Sequence, residues 1–270
     1  MNFNIVTIFP EMITQYLRYG IISKAVNKGI VRVNVLNLRS FSASEKNDGR
    51  IDEGIFGHGK GMLFRPEPLF DAVRAVKKEY PESRVVYMTP RGRRFDNIEA
   101  KKFSLEKSLI LLCGRYEGID SRIVETIVDD EISIGDYVLT GGELPALVVL
   151  DSVCRFLEGS IKENSKEDES FEYGLLEYDH YTQPLDFLGK GVPEALRSGD
   201  HRKISIMRYE SSLKKTYNNR IDLLHNYNPV FITGETKDPL KKLMRINEQM
   251  KNFLLTIQNI SKEWKNGRRN

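Results

Sequence analysis

Short apolar, β-branched runs recur along the chain at Phe3–Phe9, Val31–Leu36, Arg84–Met88, Ser108–Cys113 and Glu131–Ile134, separated by helical or glycine-containing stretches. Runs of this length alternating with helical patterns predict an α/β fold. Between two of them, Pro66–Glu79 opens with prolines and then places Leu69, Phe70, Val73 and Val76 on one helical face, the signature of a crossover helix. Leu144–Phe156 is apolar almost all round, with Arg155 its one basic residue, as suits a helix buried between layers or against a second subunit.

The pattern changes at Lys162–Glu172, which is acidic and almost free of large apolar groups. Such a stretch buries too little surface to offset its ordering entropy, so a mobile linker is expected. Beyond it, His201–Asn218 and Lys237–Trp264 read as helices, the second with Leu240, Leu243, Met244, Ile246 and Phe253 as core positions. The expected organisation is an α/β domain over residues 1–160, a linker over 161–176 and a smaller, mainly helical domain over 177–270. No internal repeat is visible.

Composition narrows the class. With 40% hydrophobic and 29% charged residues the 270-residue chain is too apolar for a disordered protein. Its two cysteines, Cys113 and Cys154, lie far apart and outside any CxxC spacing, so neither a disulfide framework nor a zinc site is indicated. No apolar run reaches membrane-spanning length and Met1–Pro10 lacks a signal peptide's basic start, which points to the cytoplasm and no membrane partner. The net charge of +3 hides an uneven distribution: residues 1–160 sum to 0, 161–180 to −5 and 181–270 to +8. A basic C-terminal third on a neutral body suits a polyanion such as RNA, and equally a solvated basic face.

Candidate chemistry gathers in three loops expected at strand carboxyl ends, the edge where open α/β sheets bind ligands. They are Thr89-Pro90-Arg91-Gly92-Arg93, Gly114-Arg115-Tyr116-Glu117-Gly118 and the run from Gly135 to Pro145. Glycines there let main-chain groups approach a ligand closely. Neither G-x-G-x-x-G after a strand nor G-x-x-x-x-G-K-[ST] is present, which argues against nicotinamide and nucleoside-triphosphate sites of the usual kinds. Gly57-His58-Gly59-Lys60-Gly61 is an isolated glycine alternation and reads as a loop near a substrate. His58, His180, His201 and His225 share no metal-ligand spacing.

Four stretches together, Leu112–Asp120 (LCGRYEGID), Ile132–Pro145 (ISIGDYVLTGGELP), Tyr87–Arg93 (YMTPRGR) and His180–Pro184 (HYTQP), resemble the bacterial tRNA (guanine-N1)-methyltransferases. Ile8–Met12, Tyr19–Ile21, Val192-Pro193, Ser198-Gly199 and His201 extend the likeness over nearly the whole chain. The resemblance implies a trefoil-knotted, parallel-sheet α/β methyltransferase domain of the SPOUT type, followed by the smaller helical domain. Its knot loops would hold S-adenosylmethionine through Tyr87, Pro90, Gly114, Tyr116 and Glu117, and through Ile134, Gly135, Asp136, Tyr137, Val138, Leu139, Gly141, Gly142 and Pro145. Main-chain groups would match the adenine rim while Ile134 and Leu139 cover its faces.

Guanine N1 carries a proton and is a poor nucleophile until that proton leaves, so the implied reaction needs a general base and a stabiliser of charge on O6. The family's Asp-Ser-Phe motif aligns with Glu169-Ser170-Phe171, which makes Glu169 the expected base, one methylene longer than in the family, with Asp168 its rival. Arg155 matches the family's catalytic arginine. The resemblance further implies tRNA as substrate, with Ser198, His201 and Arg208 as motif-supported RNA contacts, although Met207 stands where the family has tryptophan. Arg202, Lys203, Lys214 and Lys215 are further candidates on charge alone. A homodimer whose site is shared between subunits is implied, as is magnesium, for which no ligand can be named. The rival functions are a knotted methyltransferase of ribose hydroxyls and a catalytically silent RNA-binding protein.

Overall fold

The computed structural model describes residues 1–42, 49–57, 59–161, 169–172 and 174–226, with residues 225 and 226 described by backbone alone. Asp168, His58, the His225 side chain, residues 162–168 of the expected linker and the expected helix 237–264 lie outside the described residues. Two compact units divide the chain, Met1–Glu163 and Asn164–Asn270.

The first unit is built on a five-stranded parallel sheet of β1 (Asn2–Thr7), β2 (Arg32–Asn37), β5 (Arg84–Arg94), β6 (Ser108–Cys113) and β7 (Asp130–Ser133), in the order β2-β1-β6-β5-β7. Each of the five apolar runs in the sequence contributes one strand. A hairpin of β3 (Asp52–Gly54) and β4 (Met62–Phe64) stands apart from the sheet. Ile5 pairs with Val35 on one side and Leu111 on the other, and Leu111 pairs in turn with Val86.

Successive strand residues face opposite sides, and two cores result. Phe3, Ile5, Val86, Met88, Leu109, Leu111 and Ile132 meet α1 (Pro10–Tyr16), α2 (Gly20–Asn27), α4 (Asn97–Phe103) and α6 (Glu143–Cys154) on one face. On the other, Val85, Tyr87, Ile110 and Leu112 meet α3 (Pro66–Glu79) and α5 (Ser121–Ile127). A polar line crosses the strands: Asn34 donates to Asn4 (2.9 Å), and Asn4 (3.1 Å) and Ser83 (2.7 Å) both donate to Ser108. Buried amides and hydroxyls that satisfy one another only in this alignment oppose a register slip.

Two expectations are revised. Phe70 does not share the buried face of α3; Leu69, Ala72, Val73 and Val76 do, while Phe70, one residue or 100° round from Leu69, is 42% exposed beneath the Arg74 guanidinium. Thr89–Arg93 is not a loop after a strand but part of β5, which continues to Arg94 through a register shift between Met88 and Arg93. Gly92 makes this possible, since a Cβ there would fall 2.3 Å from the Ile132 nitrogen. On the apolar helix α6, Leu144 and Val148, one turn apart, are 51% and 42% exposed in the single chain.

Charged side chains fasten the bulged strand. Arg93 lies 2.9 Å from Asp130 on β7 and 2.7 Å from Glu99 on α4, and Arg84 pairs with Asp130 as well. Among the described residues, no helix is long and apolar enough to cross a membrane.

The described part of the second unit holds a two-stranded hairpin, β8 (Asp186–Phe187) and β9 (Lys190–Gly191), and helices α7 (Glu194–Arg197), α8 (His201–Asn219) and α9 (Ile221–Asn226). Asp200 caps α8, its carboxylate accepting from the backbone N–H groups of Arg202 and Lys203. From Glu169 onward the segment expected as linker is a hydrogen-bonded turn: Phe171 N–H donates to Leu175 C=O (2.7 Å), and Glu177 N–H donates to the Ser170 hydroxyl (3.0 Å).

Candidate functional site

Parallel strands leave unpaired backbone groups at their carboxyl ends, and loops there can turn those groups toward a ligand. In this chain the middle of β5, the loop after β6 and the loop after β7 converge on one cleft of about 220 Å³. Met88, Thr89 and Pro90 come from β5, Gly114–Gly118 from the loop after β6, and Ile132–Gly135 with Tyr137–Gly142 from β7 and its loop; Pro145 of α6 closes the lining.

Close backbone approach explains the glycines. The loop after β7 docks on the loop after β6 through Gly142 N–H to Gly114 C=O (2.9 Å) and a bridge between Arg115 and Gly141. A Cβ on Gly142 would lie 2.7 Å from the Cys113 Cα, and one on Gly114 would lie 3.0 Å from the Tyr87 ring. Tyr87 sits beneath the middle loop at 4% exposure, and burial pushes its phenol above the ordinary range. Tyr116 takes a left-handed backbone (φ 58°) and sets its ring edge-on to Phe64, 5.7 Å away. The hairpin strand β4 then supports the same loop, with Phe64 N–H donating to Gly118 C=O (3.0 Å) and Glu117 N–H to Met62 C=O (3.1 Å).

The cleft therefore combines main-chain donors and acceptors with the apolar or aromatic side chains of Ile134, Tyr137, Leu139 and Pro145. That suits a flat heteroaromatic ligand with a polar rim. Every residue that the motifs assigned to donor binding lines the cleft except Asp136, an exposed residue whose neighbours Gly135 and Tyr137 do line it. The motifs left unassigned Arg115, Thr89 and Thr140, which also line it. Arg115 and Glu143 were legible as letters of GRYEG and GGELP, but nothing local in the sequence pairs them across 28 positions.

The remaining candidates belong to other elements. Arg155 is the half-buried C-cap of α6 in the first unit; Glu169, half-buried, belongs to the second. Ser198 caps α7, and His201 is the exposed first residue of α8. Arg208, on α8, lies with its guanidinium 4.6 Å over the Tyr178 ring, whose centroid is 4.6 Å from that of His180. This cation–π stack gathers part of HYTQP against the helix. Among the described residues, no group of three or more His, Cys, Asp or Glu side chains is placed to hold a metal ion.

Comparison with known proteins adds an independent finding. Residues 1–226 match the family model described as tRNA (Guanine-1)-methyltransferase TrmD. A protein of Clostridioides difficile (strain 630) named tRNA (guanine-N(1)-)-methyltransferase is 46% identical over 231 residues, 84% of this chain and 99% of the relative. Relatives of the same name in Thermosipho africanus (46% identity; 83% of this chain, 89% of the relative) and Caldicellulosiruptor saccharolyticus (43%; 93% and 99%) match comparably.

Proposed function

Because the chain belongs to the tRNA (guanine-1)-methyltransferase family, we propose that the cleft at the end of its sheet seats S-adenosylmethionine and that methyl transfer to guanine N1 of tRNA takes place at its mouth. The observation that carries this reading is the convergence of three glycine-bearing segments, supplied by β5, β6 and β7, on one cleft. Their glycines let these segments pack on one another where a Cβ would collide, and main-chain groups gathered this way can hold a ligand. Tyr87, Pro90, Gly114, Tyr116 and Glu117 would hold the donor from one side, and Ile134, Gly135, Tyr137, Val138, Leu139, Gly141, Gly142 and Pro145 from the other. Asp136 would act through the course of its loop.

When bound, the donor supplies an electrophilic methyl group on a sulfonium sulfur. The protein's own work is to free the N1 lone pair and to hold guanine in line with that methyl. Glu169 accepts the N1 proton as the N–C bond forms and the C–S bond breaks, and Arg155 stabilises the negative charge that gathers on O6. Ser170 and Phe171, fastened by hydrogen bonds to residues 175–177, give Glu169 a fixed stem on one side.

The reading further places the methylated guanosine immediately 3′ of the anticodon in the cytoplasm, the tRNA against Ser198, His201 and Arg208, and the loops of the first unit in a trefoil knot. Two features support the knot: β5 runs past its bulge to pair again with β7, and the loop after β7 returns to Gly114. A homodimer with the site shared between subunits accounts for the exposed Leu144 and Val148 on an otherwise buried helix.

Nucleotide analysis of tRNA after incubation with S-adenosylmethionine tests the function directly. N1-methylguanosine next to the anticodon is expected; a methylated ribose, or no methylation with no donor binding, would overturn it. Mixing inactive Arg155→Ala and Glu169→Gln chains tests sharing: partial recovery of activity is expected, and none refutes a site completed by two subunits. Glu169→Gln retaining full turnover would remove its role as base.

A further inference from the structure

A carboxylate at 1% exposure sits directly behind the cleft and has no place in the chemistry above. Glu143 is the first residue of α6, immediately after the Gly141-Gly142 pair. Its Oε1 accepts a hydrogen bond from the Thr7 hydroxyl at 2.7 Å, and its Oε2 accepts one from Arg115 Nε at 3.1 Å. Thr7 is the last residue of β1 and fully buried; its oxygen also accepts from Phe9 N–H at 2.9 Å. Arg115 lines the cleft, lies with its guanidinium 4.6 Å over the Phe9 ring, and reaches Met12 Sδ at 3.6 Å.

The network joins three segments that are remote in sequence: the end of β1 with the start of α1, the loop after β6, and the junction between the β7 loop and α6. It also explains the second glycine contact in the cleft, since a Cβ on Gly141 would lie 2.4 Å from Arg115 Nε and 2.6 Å from Glu143 Oε2. The ion pair thus occupies the space directly beneath the loop, and the Arg115–Gly141 bridge holds the loop down on it. A carboxylate buried to this degree is tolerated because both oxygens are paired and because it stands at the N-terminus of a twelve-residue helix.

We propose that Thr7, Glu143 and Arg115 form a positioning strut that presets the Gly141-Gly142 loop for the methyl donor, so that its integrity sets donor affinity and leaves the chemical step alone. The proposal rests on the donor reading of the cleft. Glu143→Gln removes the charge and leaves a single acceptor oxygen, so Thr7 and Arg115 can no longer each donate to an oxygen of their own. Thr7→Val is nearly isosteric and deletes only the hydroxyl, while Thr7→Ser restores it.

The test is calorimetric donor binding together with steady-state kinetics on the full-length chain, with thermal unfolding of each variant alongside. Glu143→Gln and Thr7→Val should each weaken S-adenosylmethionine on the order of tenfold or more, the size of a lost charge-assisted buried hydrogen bond. At saturating donor, kcat and the KM for tRNA should stay within about twofold of wild type, and Thr7→Ser should bind the donor like wild type. Glu143→Gln combined with Arg115→Gln should lose less than the sum of the single losses, because the two act as one unit. Unchanged donor affinity in a folded Thr7→Val or Glu143→Gln variant overturns the proposal. So does an equal loss of donor and tRNA affinity that tracks the fall in melting temperature, which would mark a merely structural network. If the wild-type chain itself binds no donor, the reading of the cleft fails first and this inference with it.

Discussion

Gly92→Ala should damage the fold at one identifiable crossing, where the bulged end of β5 passes β7. An added Cβ would lie 2.3 Å from the Ile132 nitrogen, 2.4 Å from the Glu131 carbonyl carbon and 2.5 Å from its oxygen. All three are main-chain atoms, so no side chain can turn aside. Ordinary contact begins near 3.4 Å, and β7 would have to withdraw by about 1.1 Å. Such a shift strains the bond from Phe95 N–H to Ser133 C=O (2.8 Å) and the ion pair of Arg93 with Asp130 (2.9 Å). Overpacking costs ~1–3 kcal/mol and a buried backbone hydrogen bond ~1 kcal/mol. A loss of about 3 kcal/mol follows, which at ~2–4 °C per kcal/mol for a unit of this size lowers the melting temperature by about 10 °C. Differential scanning calorimetry of Gly92→Ala beside Gly54→Ala measures it. Gly54 is the proper reference because its added methyl meets nothing within 4 Å. A Gly92→Ala protein melting within about 2 °C of Gly54→Ala would refute this account of how the two strands pass.

Gly142→Ala, whose methyl would meet the Cys113 Cα at 2.7 Å, should weaken donor binding on the order of tenfold by calorimetry while secondary structure stays intact by circular dichroism; undiminished binding would count against main-chain recognition. The side-chain hydrogen bond from Arg122 holds the Asp120 carboxyl below its ordinary range. Its contribution is therefore present at neutral pH and fades as pH falls from about 4 through the lower folded value. The melting-temperature difference between wild type and Asp120→Asn should shrink over that acid window, and a gap that stays as wide in acid as at neutral pH would contradict it. Burial pushes the Cys154 thiol up to about 12 and raises Cys113 as well. Neither should react with an aromatic disulfide reagent at pH 8 until the protein is unfolded, when two thiols per chain should appear; rapid native labelling would show that α6 opens readily.

The second unit illustrates how far a composition argument reaches. The basic surplus of residues 181–270 suggested a polyanion, yet the described structure uses several of these charges locally. Lys215 pairs with Asp179, Arg220 forms two hydrogen bonds with Asp222, and Arg208 stacks on Tyr178. His201, Arg202 and Lys203, on the first turn of α8, are exposed. Charge counted along a chain cannot distinguish a cation held by a neighbour from one presented to a partner.

Local pattern was enough to find the five strands of the sheet, and the α3 helix was legible from Pro66 to Glu79. Residue types that set backbone conformation act through neighbours a few positions away, and the letters carry that information directly. The glycine-bearing segments that line the cleft were legible for a similar reason, as glycines following apolar runs, although the first of them is part of β5 and not a loop. What tertiary structure alone decided is which remote pieces meet. The order β2-β1-β6-β5-β7, the second pairing of β5 with β7 beyond its bulge, and the exposure of Phe70 depend on partners that no periodicity names. Glu143 shows the difference most plainly. In sequence it is one acid in a helix start, whereas in the fold it joins Thr7, 136 positions away, to Arg115, 28 positions away. A buried charge is tolerated only when such partners arrive together, and only the packing of the whole sheet brings them there.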